Sequence, residues 1–227
     1  MKTSFFAAAA LALLTTPAFA ATVTTTAVAD VTVGDEDFDG VMDYAGPQDD
    51  AYLRVFGNWR TGRGVLEYDL SGIAAGDTVE SASVSFSVRG TRVPGVVNLY
   101  GYSGDGVATI ADGNLVQTLV GSFSVVDMSM DYNVSISASF LQGLLDAGAS
   151  HLGLIMVSSD ETRFGPGADF CSVGSTTTAC AGNPGSQLTV NSSPAGVVPV
   201  PASLPLLAGG FGLFGVMAAR RRARRAA

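Results

Sequence analysis

Asp35, Asp37, Asp39 and Asp43 stand in the run Asp35-x-Asp37-x-Asp39-Gly40-x-x-Asp43. Alternate carboxylates closed by a glycine can wrap oxygen ligands around a hard cation. The glycine permits the sharp turn, and the carbonyl of Val41 can join the shell. An EF-hand would place a bidentate Glu at the twelfth position, and that position here is Gly46. The spacing therefore predicts a structural Ca2+ loop of another kind, with Asp49 or Asp50 available to complete the shell. The same run also reads as a solvated acidic loop without a specific metal, in which carboxylate repulsion lacks a counter-ion.

Other reactive side chains are few. Cys171 and Cys180 are the only cysteines and flank a Gly/Ser/Thr loop. In an oxidising compartment that pattern predicts a disulfide, worth ~3 kcal/mol in the chain-entropy picture. The single histidine, His151, opens an apolar run and reads as a packed or edge residue rather than a base. No nucleophile elbow, zinc-protease helix or phosphate loop is present. Asp160 and Glu161 are neighbours; on a strand they would face opposite sides and make a poor acid–base pair. A glycosidase could still draw distant carboxylates together. Trp59 lies in the polar stretch Asn58-Trp59-Arg60-Thr61-Gly62-Arg63. Its ring is either a core residue or a platform for stacking on sugar.

The elements that must hold these groups are strands. Ala82, Val84, Phe86 and Val88 alternate with serines across 81–88, and Leu66, Tyr68 and Leu70 alternate with Val65, Glu67 and Asp69. Phe123 and Val125, then Tyr132, Val134 and Ile136, repeat the pattern. Residues 151–157 read as a more fully buried strand, and 187–191 as the closing one. Turn residues at Ser71-Gly72, Ala75-Gly76-Asp77, Val93-Pro94-Gly95 and Gly104-Asp105-Gly106 separate the runs. One short helix is predicted at 138–147, where Phe140, Leu141, Leu144 and Leu145 share a face before Gly148. The fold class is all-β: a single jelly-roll-like β-sandwich over residues 21–191.

Both ends carry export signals. Lys2, an apolar stretch at 5–14 and Ala18-Phe19-Ala20 predict a signal peptide over 1–20, cleaved before Ala21. At the other end a linker over 192–201 precedes an uncharged apolar segment at 202–219, predicted to be a transmembrane helix of roughly 27 Å. Arg220, Arg221, Arg222, Arg224 and Arg225 follow it and mark a cytoplasmic tail over 220–227. All twenty Asp and Glu lie between Asp30 and Asp169, against six Arg and no Lys, which makes the exported body a formal −14. Such a surface repels nucleic acid and suits a salty medium or bound cations.

The motif Val198-Pro199-Val200-Pro201-Ala202, the single apolar span and the Arg terminus together resemble the PEP-CTERM sorting signals, closest to the VPLPA-CTERM variant. Val200 stands where that variant has Leu, and the name-giving acidic residue is missing. The resemblance implies a Gram-negative surface protein, anchored in the inner membrane as a precursor and processed by an exosortase-type membrane enzyme. An ordinary membrane anchor is the plainer reading of the same tail. In the body, Ala29-Asp30-Val31, Tyr52-Leu53-Arg54-Val55, Arg63-Gly64-Val65-Leu66-Glu67-Tyr68-Asp69-Leu70 and Val79-Glu80-Ser81-Ala82 resemble the DNRLRE-type domains. Those are jelly rolls related to carbohydrate-binding modules. Two functions follow as expectations. One is a non-enzymatic protein of the envelope or biofilm matrix. The other is a carbohydrate-binding module acting on extracellular polysaccharide, with a glycan hydrolase behind it.

Overall fold

Alternating apolar and polar residues commit most of this chain to strands, because a period of two puts every second side chain on one face. The structure, a computed structural model, describes residues 20–46, 52–57, 61–115, 117–126, 130–161, 165–175 and 177–194, with the backbone alone at 52–57, 91 and 92. The signal peptide, sorting motif, apolar C-terminal segment and Arg tail lie outside the described residues, as do Trp59, Asp49 and Asp50.

The strands are β1 (Ala21–Thr26), β2 (Ala29–Asp35), β3 (Tyr44–Ala45), β4 (Tyr52–Gly57), β5 (Thr61–Asp69), β6 (Thr78–Val93), β7 (Gly95–Gly104), β8 (Thr118–Val125), β9 (Asp131–Ile136), β10 (His151–Ser158), β11 (Gly165–Cys171) and β12 (Gln187–Ser193). Two helices interrupt them, α1 (Ile110–Gly113) and α2 (Ala138–Asp146). Every pairing is antiparallel. One sheet runs β1-β12-β6-β9 and the other β3-β2-β5-β10-β7-β8. β11 extends the far half of β6, and β4 joins β11 to β5 through Phe56 and Gly62. The fold is β-sandwich-like.

The main core fills the space between the sheets. Ala82, Val84, Phe86 and Val88 of β6 meet Leu66, Tyr68, Leu152, Leu154, Met156 and Leu99 from β5, β10 and β7. Phe86, Phe123 and Phe170 form an aromatic knot at one end, with centroids 5.4 to 6.1 Å apart. The predicted helix is α2. Ser137 caps it by accepting from the Phe140 N–H at 3.2 Å, and Leu141 enters the core without exposure. Gly148, at φ +76°, ends it, as a residue without a Cβ can.

The second sheet departs from the expected half-buried pattern. Val65 and Glu67 of β5 are as buried as Leu66 and Tyr68. The cause is a second apolar cluster on the sheet's other face, where Val31, Val33, Val65, Tyr102, Ile155 and Val157 are joined by Met42 and Ala108. A sheet covered on both faces loses its alternation, which also explains the nearly unbroken apolar run of β10.

The first sheet keeps its outer face open to solvent, and that face is hydroxyl-rich. Thr24, Thr189, Ser83 and Ser135 lie side by side across β1, β12, β6 and β9, and Thr26, Gln187, Ser85 and Asn133 form the next row.

Candidate metal centre

The acidic loop leaves the second sheet at the end of β2. Asp35 is its first residue and is only 2% exposed. Its Oδ1 accepts from the Phe38 N–H at 2.6 Å and its Oδ2 from the Gly40 N–H at 2.8 Å. Closing so short an arc takes the chain through positive φ at Phe38 (63°) and Gly40 (90°). Glycine accepts that region freely, whereas a phenylalanine there is uncommon. Asp39 accepts from the Val41 N–H at 2.8 Å and Asp43 from the Glu36 N–H at 3.2 Å.

The loop is fastened at its base. Met42 is buried in the second apolar cluster. Asn114, at the C-terminus of α1, holds the Met42 backbone from both sides: its Oδ1 accepts the N–H at 2.7 Å and its Nδ2 donates to the carbonyl at 2.8 Å. α1 is a single turn, begun by Thr109, whose N–H and hydroxyl both donate to Asp112. No sequence signal connected Asn114 to a loop 72 residues earlier; only the cover over the second sheet brings them together.

Carboxylate oxygens of Asp35, Asp37 and Asp39 lie within 4.8 Å of one another. Oxygens on opposite sides of a calcium ion with bonds of ~2.4 Å are about 4.8 Å apart, so the three can share one ion of that size. The group of three does not include Asp43, whose carboxylate instead bridges back to Glu36, and the Val41 N–H is spent on Asp39. Crowding divides the titration of the cluster. The charge of Asp39, followed by desolvation, raises the Asp37 carboxyl above its ordinary range. Burial opposes the charge on Asp35, but N–H groups of Gly40, Phe38 and Asp39 and a hydrogen bond with Asp37 outweigh it and hold Asp35 low. Neighbouring carboxylates with one raised and one lowered are the electrostatic setting that a cation relieves.

Cys171 and Cys180 form the predicted disulfide, with S–S 2.04 Å and Cα–Cα 5.7 Å. It joins the end of β11 to a 3-10 turn at Thr178–Cys180, and both cysteines are buried. Arg89 Nε donates to Cys171 Sγ at 3.2 Å. The loop is also held to β2, where Asp30 Oδ2 accepts from the Val173 N–H at 2.7 Å. Burial pushes the Asp30 carboxyl up to about 6 against that hydrogen bond.

Of the two neighbouring acidic groups considered for catalysis, Glu161 is held in an ion pair. Glu161 receives Arg63 in a two-pronged pair, Nε–Oε1 at 2.8 Å and Nη2–Oε2 at 2.9 Å, and Arg63 Nη1 donates to the Gly113 carbonyl at 2.6 Å. His151 is half-buried at the start of β10, its Nδ1 3.0 Å from Ser150 Oγ.

Glu67 is the buried acid that its alternating position concealed. It is fully enclosed, with the Tyr102 hydroxyl donating to Oε1 at 2.5 Å and the Gly106 N–H to Oε2 at 3.3 Å. Desolvation raises its carboxyl above the usual range. A Cβ at Gly104 would overlap Glu67 Oε2, and one at Gly153 would overlap the Tyr102 ring. Gly153, in the middle of the apolar run of β10, was the available signal, since a glycine inside a strand often marks a close approach. The packing closes around the carboxyl and serves the fold.

Among the described residues no helix is long and apolar enough to cross a membrane. No protein-family model matches the chain, and no curated protein matches it.

Proposed function

We infer that this is an exported, non-enzymatic surface or matrix protein of a Gram-negative bacterium. Its jelly-roll-like body is carried to the envelope by its C-terminal tail and processed there by an exosortase-type enzyme. The observation that carries the reading is the Cys171–Cys180 bond. A chain whose only two cysteines pair in this way belongs to an oxidising, extracytoplasmic compartment, in agreement with a signal peptide at one end and a sorting tail at the other.

Asp35, Asp37 and Asp39 hold a structural Ca2+ in this reading, with the Val41 carbonyl and Asp43 completing the shell after local adjustment. The ion supplies positive charge to an acidic loop and ties β2 to β3; it performs no chemistry. The body's −14 charge keeps nucleic acid away and makes divalent cations natural partners.

Deletion of everything after Val198 tests the assignment. The body is expected in the medium, folded and cross-linked, with no loss of any hydrolytic activity. Retention of the truncated chain in the cell envelope removes the sorting role. Turnover of a polysaccharide by the released body removes the non-enzymatic one.

A further inference from the structure

β1 is the edge of the first sheet. It pairs with β12 on one side, from Ala21↔Ser192 to Thr26↔Gln187, and with no described strand on the other. This register fixes which backbone groups point away from the sheet. Just past the strand end, the Ala27 N–H donates to the Ser186 carbonyl at 3.0 Å, continuing the same ladder. Bonded and non-bonded pairs alternate along an antiparallel ladder, so Ala21, Val23 and Thr25 turn their amides towards β12. Thr22, Thr24 and Thr26 turn theirs outward. Side chains come closer in non-bonded pairs, and Thr22 accordingly reaches Asn191 at 2.7 Å and Thr24 reaches Thr189 at 3.2 Å. The edge thus offers the N–H and carbonyl groups of three threonines, with Thr22 and Thr24 exposed. The Thr26 carbonyl also accepts from the Thr25 hydroxyl at 3.3 Å.

The other described edges are protected and this one is not. β3 is two residues long. β8 carries a register shift opposite Leu99 and Tyr100. Its Val120 carbonyl accepts from the Ser137 N–H, just beyond β9, at 2.9 Å, which draws the β8 and β9 edges together. β9 also opens on the charge of Asp131. β1 reads Ala-Thr-Val-Thr-Thr-Thr. It has no charge, proline or bulge, the devices that keep an edge from pairing, and β-branched residues fill it after Ala21, which suits a strand. Its neighbour β12 is uncharged too. In a body of formal charge −14, this strip is where two copies approach with least repulsion.

We propose that β1 pairs with β1 of a second copy, antiparallel about a two-fold axis at Thr24, joining the first sheets of both copies edge to edge. The outward groups are their own complement. Thr24 meets the partner's Thr24 and Thr22 meets the partner's Thr26, and each pair exchanges two N–H···O bonds. Even-numbered residues meet even-numbered ones, so the threonines at 22, 24 and 26 share the solvent face. Val23, which already packs against the main core, lies beside the partner's Thr25 on the inner face. An isologous contact of this kind closes on itself and stops at the dimer. The shared strip is narrow, so association is weak in dilute solution and gains when copies are displayed side by side. Only that gain rests on the proposed surface location.

The test uses the full-length chain in mild detergent with EDTA, which removes any cation bridging through the acidic loop. Light scattering over a dilution series should show monomer and dimer, with the dimer favoured by salt, which screens the acidic bodies. A short bis-maleimide should link Thr24→Cys into a covalent dimer and leave Asn133→Cys, exposed on the far edge strand, unlinked. Thr24→Pro removes an outward N–H and no bond to β12. It should weaken the dimer about tenfold or more at unchanged circular dichroism. Thr24→Lys sets two like charges face to face and serves if the proline perturbs folding. Monomer at every concentration, equal linking at positions 24 and 133, or association indifferent to both variants overturns the proposal. So does a dimer that salt dissolves, or growth beyond the dimer, since neither fits a closed, uncharged edge. Export and calcium binding stand whichever result is found.

Discussion

The loop at 35–43 and the loop at 171–180 both leave β-strands, and both are rooted at β2, the first through Asp35 and the second through Asp30. Their means of closure are opposite. The second is closed by a covalent bond between buried sulfurs. The first is closed by carboxylates accepting backbone N–H groups, with Asp37 and Asp39 exposed and crowded together. The covalent loop should answer to redox conditions and ignore metal. The acidic loop should do the reverse. On the proposed reading, a body held by both suits an oxidising, cation-containing exterior and loses one support where either condition is missing.

The largest effect is expected from the bond. Reduction, or Cys171→Ser with Cys180→Ser, should cost about 3 kcal/mol in urea denaturation, loosening the loop while the sheets persist. That cost should be the same with and without calcium, because the two sites are independent. A cost that vanished in EDTA would dissolve the contrast between the loops.

Calcium comes next. At a hundred times its dissociation constant the ion should add about 2.7 kcal/mol. For a body of this size that corresponds to a rise of roughly 5–10 °C in Tm, absent in Asp37→Ala and indifferent to reductant. Equal Tm in millimolar calcium and in EDTA would reduce the loop to a solvated acidic turn.

The pH responses should also oppose one another. Asp30 is raised to about 6 from 3.8. Between those values the native state binds more protons than the unfolded chain, so stability falls as pH rises through that window. The loss is about 2 kcal/mol after allowance for solvent screening and is removed by Asp30→Asn. Asp35 is lowered, so its contribution is present above pH 3.8 and is lost as pH falls below it. Comparing wild type and Asp30→Asn from pH 4 to pH 7 isolates the first slope; coincident curves would show that Asp30 does not titrate there.

A smaller effect is expected at the clamp. Asn114→Ala removes two partly buried hydrogen bonds to Met42 and should cost about 1–2 kcal/mol. The calcium-induced rise in Tm should shrink with it. A full calcium response in that variant would show that the acidic loop holds its shape without α1.

The contrast between the two sheets determined how much of the fold could be read from sequence. In β6, serines alternate with Ala82, Val84, Phe86 and Val88 because one face meets water, and the register follows directly. In β5 the same alternation misled, since Glu67 turns into a second core built by Met42, Ala108 and α1. Those residues are distant in sequence and periodic with nothing. β11 reads Gly-Pro-Gly-Ala-Asp-Phe-Cys and lacks a strand period, and its place is set by pairing with β6 and β4. At the acidic loop the carboxylate spacing announced the convergence of Asp35, Asp37 and Asp39. The clamp by Asn114 and the separate bridge from Asp43 to Glu36 depend on tertiary contact and backbone path.

The most direct test of an exported, processed, cross-linked surface protein is the intact mass of the chain recovered from cell-surface material. It should begin at Ala21, end near residues 198–202, and weigh two hydrogens less than its reduced form. A chain that still ends at Ala227 and takes up thiol label at Cys171 and Cys180 without reduction would contradict both the processing and the oxidising location.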